Sequence, residues 1–90
     1  MLICRPAGTR FAIAGNGQGL PRLAVNALHR AGGRLARLST HTLEALKPLL
    51  PPELKVGNPL DLGREADGKR YARSARLLAQ DEDVDVVLLC

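Results

Sequence analysis

The stretch that most constrains this chain runs from Phe11 to Ala31. A short apolar run, Phe11-Ala12-Ile13-Ala14, meets a glycine-rich turn, Gly15-Asn16-Gly17-Gln18-Gly19, and an amphipathic segment then begins near Leu20. Apolar residues without alternation suit a strand covered on both faces, the kind that parallel sheets bury. Leu20, Leu23, Ala24, Ala27, Leu28 and Ala31 repeat at i, i+3, i+4 and i+7, the spacing of one buried helical stripe. Pro21 fits the first turn of a helix, where its missing N–H costs nothing, and Gly32-Gly33 supplies a left-handed C-cap. Strand, tight turn and helix in this order predict a bend at the carboxyl end of a parallel sheet, where open α/β folds bind ligands. The helix behind the bend offers unpaired N–H groups and a partial positive charge to a phosphate or carboxylate.

The remaining chain keeps the alternation. Residues 35–38, Leu-Ala-Arg-Leu, read as a second strand. Ser39 is an N-cap for a helix holding Leu43, Leu46 and Leu49, which Pro48 ends or tightens near Lys47 and Pro51-Pro52 stop. Residues 53–63 form a loop carrying Gly57-Asn58-Pro59-Leu60-Asp61-Leu62, in which Val56 or Leu60 adds a short strand. Asp67 caps a third helix that buries Tyr71, Ala75, Leu78 and Ala79 and turns Lys69, Arg70, Arg73 and Arg76 to solvent. After the acidic turn Asp81-Glu82-Asp83, residues 84–89 are the most strand-like run, rich in β-branched side chains. With right-handed crossovers this predicts an α/β fold: a three-layer parallel sheet, flavodoxin-like, with strand order starting 2-1-3. It is expected to be truncated, because the sequence stops on a core strand with no helix to cover it. Residues 1–9, holding Pro6 and Gly8, read as a linker or tail, and residues 10–90 as one incomplete domain.

Composition narrows the function classes. Ninety residues hold one domain with a modest core, and no apolar run approaches the roughly 20 residues of a membrane-spanning helix. Cys4 and Cys90 lack CxxC spacing and neighbouring ligands, so neither a metal site nor a disulfide framework is expected, and the reducing cytoplasm is the default location. The net charge of +4 raises nucleic acid as a partner, but Phe11 and Tyr71 are the only aromatics and no nucleic-acid-binding signature appears. The expectation is a basic, solvated surface, with neither nucleic acid nor membrane as partner.

The glycine-rich turn is the one candidate for chemistry. A dinucleotide fingerprint fails: counted from Gly15 its third glycine falls on Leu20, counted from Gly17 on Arg22, and residues 35–38 end without an Asp or Glu. No Gly-Lys-Ser/Thr follows, so the turn is not a P-loop of the Walker A type. Anion binding by Asn16, Gly17, Gln18 and Gly19 remains, against the alternative that glycines serve only close strand–helix packing. Asn58 and Asp61 are loop candidates for the same site, equally suited to turn formation and an Asx-type role. His29 and His41 have no partner in sequence that would make a nucleophile–base pair. No catalytic residue and no metal ligand is assigned.

A resemblance gathers on these residues: Arg10-Phe11-Ala12-Ile13, Asn16 with Gly19 three later, Leu23-Ala24, Ala27-Leu28, Leu50-Pro51-Pro52, Gly57-Asn58-Pro59-Leu60-Asp61-Leu62 and Asp83-Val84-Asp85-Val86-Val87. Together they resemble the succinyl-CoA-synthetase-like flavodoxin domain of NDP-forming acyl-CoA synthetases, a domain shared with related bacterial protein acetyltransferases. The likeness runs from about Arg10 to Cys90. It implies a multidomain ligase that converts acyl-CoA, phosphate and a nucleoside diphosphate to acid, CoA and nucleoside triphosphate, with a phosphohistidine carrying the phosphoryl group between sites. It implies CoA, a nucleotide and Mg for the parent protein, none bound by this chain alone, and CoA-binding and ATP-grasp domains or subunits as partners. The domain's turn would receive the phosphorylated loop, at the positions of Asn16, Gly17, Gln18 and Gly19.

Departures from the family turn, roughly Asn-Ala-Gly-Gly-Pro-Gly, bear on that role. Gln18 replaces a glycine, and Pro21 replaces the last one, removing an N–H. Neither histidine lies in a Gly-His-x-Gly context, so the chain alone is expected to be inactive. The alternatives are a non-catalytic interaction module with a degenerate site, self-associating through an open sheet edge, or part of a synthetase-like protein acetyltransferase.

Overall fold

The computed structural model describes residues 9–17 and 19–90. Gln18, Cys4 and all of the expected N-terminal tail except Thr9 lie outside the described residues. The elements are β1 (Arg10–Gly15), α1 (Gly19–Arg30), β2 (Arg34–Leu35), α2 (Thr40–Leu46) with a 3-10 turn (Lys47–Leu49), β3 (Leu60–Asp61), α3 (Gly68–Ala79) and β4 (Val86–Leu89).

Everything is built on β1, which pairs in parallel with each of the other three strands. The expected 2-1-3 order is present, with β2 on one side of β1 and the final strand, β4, on the other. Backbone parity fixes the sides. Thr9, Phe11 and Gly15 carbonyls accept from Arg34, Ala36 and Leu62, whereas Arg10 and Ala14 carbonyls accept from Asp85 and Cys90. A strand's successive peptide groups point to opposite edges. β2 and β3 therefore share one edge of β1 end to end, and β4 holds the other.

The side chains of β1 alternate between two cores. Phe11 and Ile13 join Leu28 of α1 on one face, while Ala12 and Ala14 join Leu46, Leu60, Leu62 and Leu78 on the other. Helix α1 lies against one face and α2 and α3 against the other, which gives three layers. No helix among the described residues is long and apolar enough to cross a membrane.

Caps and turns follow the sequence. Ser39 Oγ accepts the Thr42 N–H and an Asp67 oxygen accepts the Arg70 N–H, closing the first turns of α2 and α3. Gly32 takes φ +83° at the end of α1. Pro48 sits in the 3-10 turn that tightens the end of α2, so Leu49 lies in that turn and not in the α-helix.

Four expectations need correction. The buried stripe of α1 is Pro21 and Leu28 with Ala24 and Val25 half-buried, not the one expected. Leu20 and Leu23 are 61% and 64% exposed, and Ala27 and Ala31 also face solvent. Pro21 drives the rotation: its ring packs where a Cβ on Gly15 would lie 3.0 Å from Pro21 Cγ. On α3, Ala79 is exposed, whereas Arg70 is half-buried and donates from Nη1 to the Leu62 carbonyl at 2.8 Å. The second strand is Arg34–Leu35 rather than 35–38, and the last is Val86–Leu89 rather than 84–89.

Candidate functional site

The bend after β1 lies at the carboxyl end of the sheet and leads directly into α1. Two features make it tight. Gly15 faces the Pro21 ring and Cys90, whose Cβ would be 3.1 Å from any Cβ placed on Gly15. Gly17 has φ +112°, a conformation L side chains rarely adopt, although open space surrounds it. Asn16 is exposed and Gly17 half-buried. Gly19 opens α1, whose first N–H groups have no intrahelical acceptor. Pro21 contributes none of them.

Asp61 meets this bend across the sheet. It pairs with Gly15 in the β1–β3 register, and its Oδ1 accepts the Gly17 N–H at 2.9 Å. The same oxygen accepts the Gly63 N–H at 2.9 Å, an Asx turn that folds the chain back after β3. Gly63 takes φ +91°, and Arg70 steadies the loop from α3. Two hollows open here, of about 620 and 500 Å³, and Gly17 and Asp61 line both. Arg64, Glu65 and Arg70 border the first, Pro21 and Arg22 the second.

Asn58 goes elsewhere. Its Nδ2 donates to the Phe11 and Ala36 carbonyls at 2.8 and 2.9 Å, and its Oδ1 accepts the Ile13 N–H at 3.0 Å. The amide thus spans β1 and the end of β2, half a strand away from the bend, and the Asn58–Pro59 peptide is cis. Of the sequence candidates, the fold brings Asp61 to Gly17 and uses Asn58 as a bridge within the sheet. His29 and His41 are both exposed.

Two side-chain clusters escaped sequence reasoning. Arg10 donates from Nε and Nη2 to the two oxygens of Asp85, at 3.0 Å each, and from Nη1 to Asp83 at 3.3 Å. The Arg10 side-chain hydrogen bond holds the Asp85 carboxyl at about 2, well below the usual range. Asp81 is buried, and its carboxylate accepts the Ser39 and Asp83 N–H groups at 2.9 Å. Burial raises its pKa, but those backbone bonds and the Thr42 and Ser39 hydroxyls outweigh burial and leave the carboxyl below its ordinary value. The only early signal was the acidic run itself, opposite no evident partner in sequence.

The chain is 40% identical over 83 residues, 92% of its length, to the alpha subunit of acetate–CoA ligase [ADP-forming] II from Pyrococcus furiosus. It is 38% identical over 88 residues to acetate–CoA ligase [ADP-forming] I from Archaeoglobus fulgidus, with 98% of its length covered. The chain is a homologue of part of the NDP-forming acyl-CoA synthetases. It spans 18% and 13% of those two synthetases, so it corresponds to one domain-sized segment. A crystal structure from Pyrococcus horikoshii OT3 superposes with a TM-score of 0.87 at 39% identity, over 91% of this chain and 19% of that one. The dinucleotide-forming acetyl-coenzyme A synthetase 1 of Ca. Korarchaeum cryptofilum, solved in complex with phosphate and ADP, superposes at 0.80 and 25% identity, over 97% of this chain and 19% of that one. No protein-family model matches the chain. The synthetase homology agrees with the flavodoxin-like resemblance and with the parallel three-layer sheet.

Proposed function

We propose that this chain serves as the flavodoxin-like domain of an NDP-forming acyl-CoA synthetase, which interconverts acyl-CoA, phosphate and nucleoside diphosphate with acid, CoA and nucleoside triphosphate. Its task there is to dock a phosphohistidine loop at the glycine-rich bend of residues 16–19, with the first-turn amides of α1, at Gly19 and Leu20, facing the phosphoryl group. The observation that carries this reading is the 40% identity to an ADP-forming acetate–CoA ligase subunit across nearly the whole chain, the bend included. Physical chemistry supports it: a helix N-terminus stabilises a phosphate through oriented amides without itself making or breaking a bond. CoA, nucleotide and Mg belong to the CoA-binding and ATP-grasp partners. Among the described residues, no three His, Cys, Asp or Glu side chains gather into a metal-holding group.

The test is a titration of the ¹⁵N-labelled chain with inorganic phosphate to about 20 mM, at fixed ionic strength. Shifts confined to the amides of Gly19 and Leu20 are expected. Flat amides there overturn the phosphate-docking role. Two observations favour the second reading, a non-catalytic assembly module: Pro21 has no N–H, and Asp61 already occupies that of Gly17. The module reading expects the flat result.

A further inference from the structure

Asp61 joins two backbone segments far apart in sequence. One oxygen receives the amide of Gly17 on the glycine-rich bend and the amide of Gly63 on the loop before α3. That loop is tied down in turn, since Leu62 donates to the Gly15 carbonyl at 2.8 Å and its own carbonyl accepts from Arg70. The bend therefore has a fixed floor on one side, reached through a half-buried carboxylate. The same contact takes the Gly17 N–H out of the set of donors available to an incoming anion. A donor already bonded to a carboxylate is a poor donor to a second anion, because the exchange breaks a charge-assisted bond.

We propose that Asp61 is the positioning residue of this bend: it latches residues 15–17 to the β3–α3 loop and reserves the Gly17 amide. An anion then meets the first-turn amides of α1, at Gly19 and Leu20, and not Gly17. The inference rests on the phosphate-docking reading for its functional half. Its structural half stands on the two hydrogen bonds alone. Asn58, only three residues away, takes no part: its three bonds lie within the sheet.

Two variants of the 90-residue chain test this, Asp61→Ala and Asp61→Asn, each read by amide hydrogen exchange and by phosphate titration. Asp61→Asn keeps an oxygen acceptor and loses the charge. Asp61→Ala removes both. In the Ala variant, the Gly17 and Gly63 amides are expected to exchange at least about tenfold faster, as expected when a bond of 1.4 kcal/mol or more is lost. In the Asn variant they stay within about threefold of the parent chain, so the conservative substitution rescues. Under phosphate, Gly17 responds in the Ala variant and stays silent in the parent chain, a donor switch that a merely structural role would not produce. Unchanged exchange of Gly17 and Gly63 in Asp61→Ala overturns the latch. A Gly17 response to phosphate in the parent chain overturns the reservation of its amide. If no chain responds at Gly19 or Leu20, the docking reading fails by itself, and the exchange rates still decide the latch. Should Asp61→Ala not fold, the parent chain decides: Gly17 and Gly63 amides that exchange as fast as free loop amides would overturn the latch.

Discussion

The two edges of β1 solve one problem in different ways. Against β4, β1 runs an unbroken register from Phe11–Val86 to Ala14–Leu89, and the Arg10–Asp85 clamp lies at its amino end. The opposite edge is assembled from pieces: two residues of β2, the Asn58 side chain, then two residues of β3. A side-chain amide can imitate a strand because it carries the same donor and acceptor as a peptide group. The difference has a structural consequence. A continuous strand leaves the sheet edge where its register ends, whereas the composite edge lets the chain enter midway and deliver Asp61 to Gly17. The regular edge is one continuous ladder, and the pieced edge carries the candidate site.

The sharpest way to break this comparison is Asn58→Ala. It would strip three hydrogen bonds from the middle of the composite edge and leave the Ile13 N–H and the Ala36 carbonyl to find new partners, while the Phe11 carbonyl keeps the Ala36 N–H. Net hydrogen bonds contribute about 1 kcal/mol each and unsatisfied buried groups cost more, so a loss of about 3 kcal/mol is expected. Urea unfolding measures it. A loss below about 1 kcal/mol would mean that β2 and β3 hold that edge without the amide.

How much of this was legible beforehand differs between the two edges. The regular edge could be read: Phe11-Ala12-Ile13-Ala14 and Val86-Val87-Leu88 are apolar in the manner of buried parallel strands, and their adjacency follows from crossover handedness. The composite edge could not, because its key bonds join residues 44 to 47 positions apart through side chains, and periodicity sees only backbone elements. Asn58 and Asp61 were visible as residues, but their division of labour was not. The rotation of α1 was missed for a different reason. Leucines and alanines outvoted Pro21 in the apolar pattern, although the proline packs against Gly15 and sets the buried side. Arg70 looked solvated because helical spacing put it with Lys69 and Arg73, while the loop carbonyl that captures it is eight residues back in sequence.

The regular edge should reveal itself in acid. The folded-state pKa of Asp85, about 2, lies below the roughly 3.9 of an unfolded aspartate. A depressed carboxyl contributes stability that is present above the unfolded value and is lost as pH falls through the folded one. The urea midpoint should therefore decline between about pH 4 and pH 2. Asp81 is also depressed and adds to that decline, so the comparison is made with Asp85→Asn. The variant should start lower at pH 6 and lose less on acidification. Equal slopes for both chains would show that the Arg10 clamp contributes nothing at this surface position, the common fate of exposed ion pairs.

The smallest effect is expected beneath the same edge, at Ser74. This residue is fully buried on α3, which packs on β1 and β4, and its hydroxyl has no hydrogen-bond partner among the described residues. A small side chain lets the helix approach the sheet closely, but the oxygen gains nothing for the water it gave up, and burying an unpaired hydroxyl costs free energy. Ser74→Ala keeps the size and removes the unpaired group. The variant should be neutral or more stable by up to about 1 kcal/mol, with no change at the Gly17 and Gly63 amides on the other edge. Destabilisation by more than about 1 kcal/mol would mean that the hydroxyl does bond in solution, most simply to the carbonyl one turn earlier on α3. A change reaching Gly17 would show that the two edges are mechanically coupled through β1, and the division between a regular edge and an edge carrying the candidate site would then have to be redrawn.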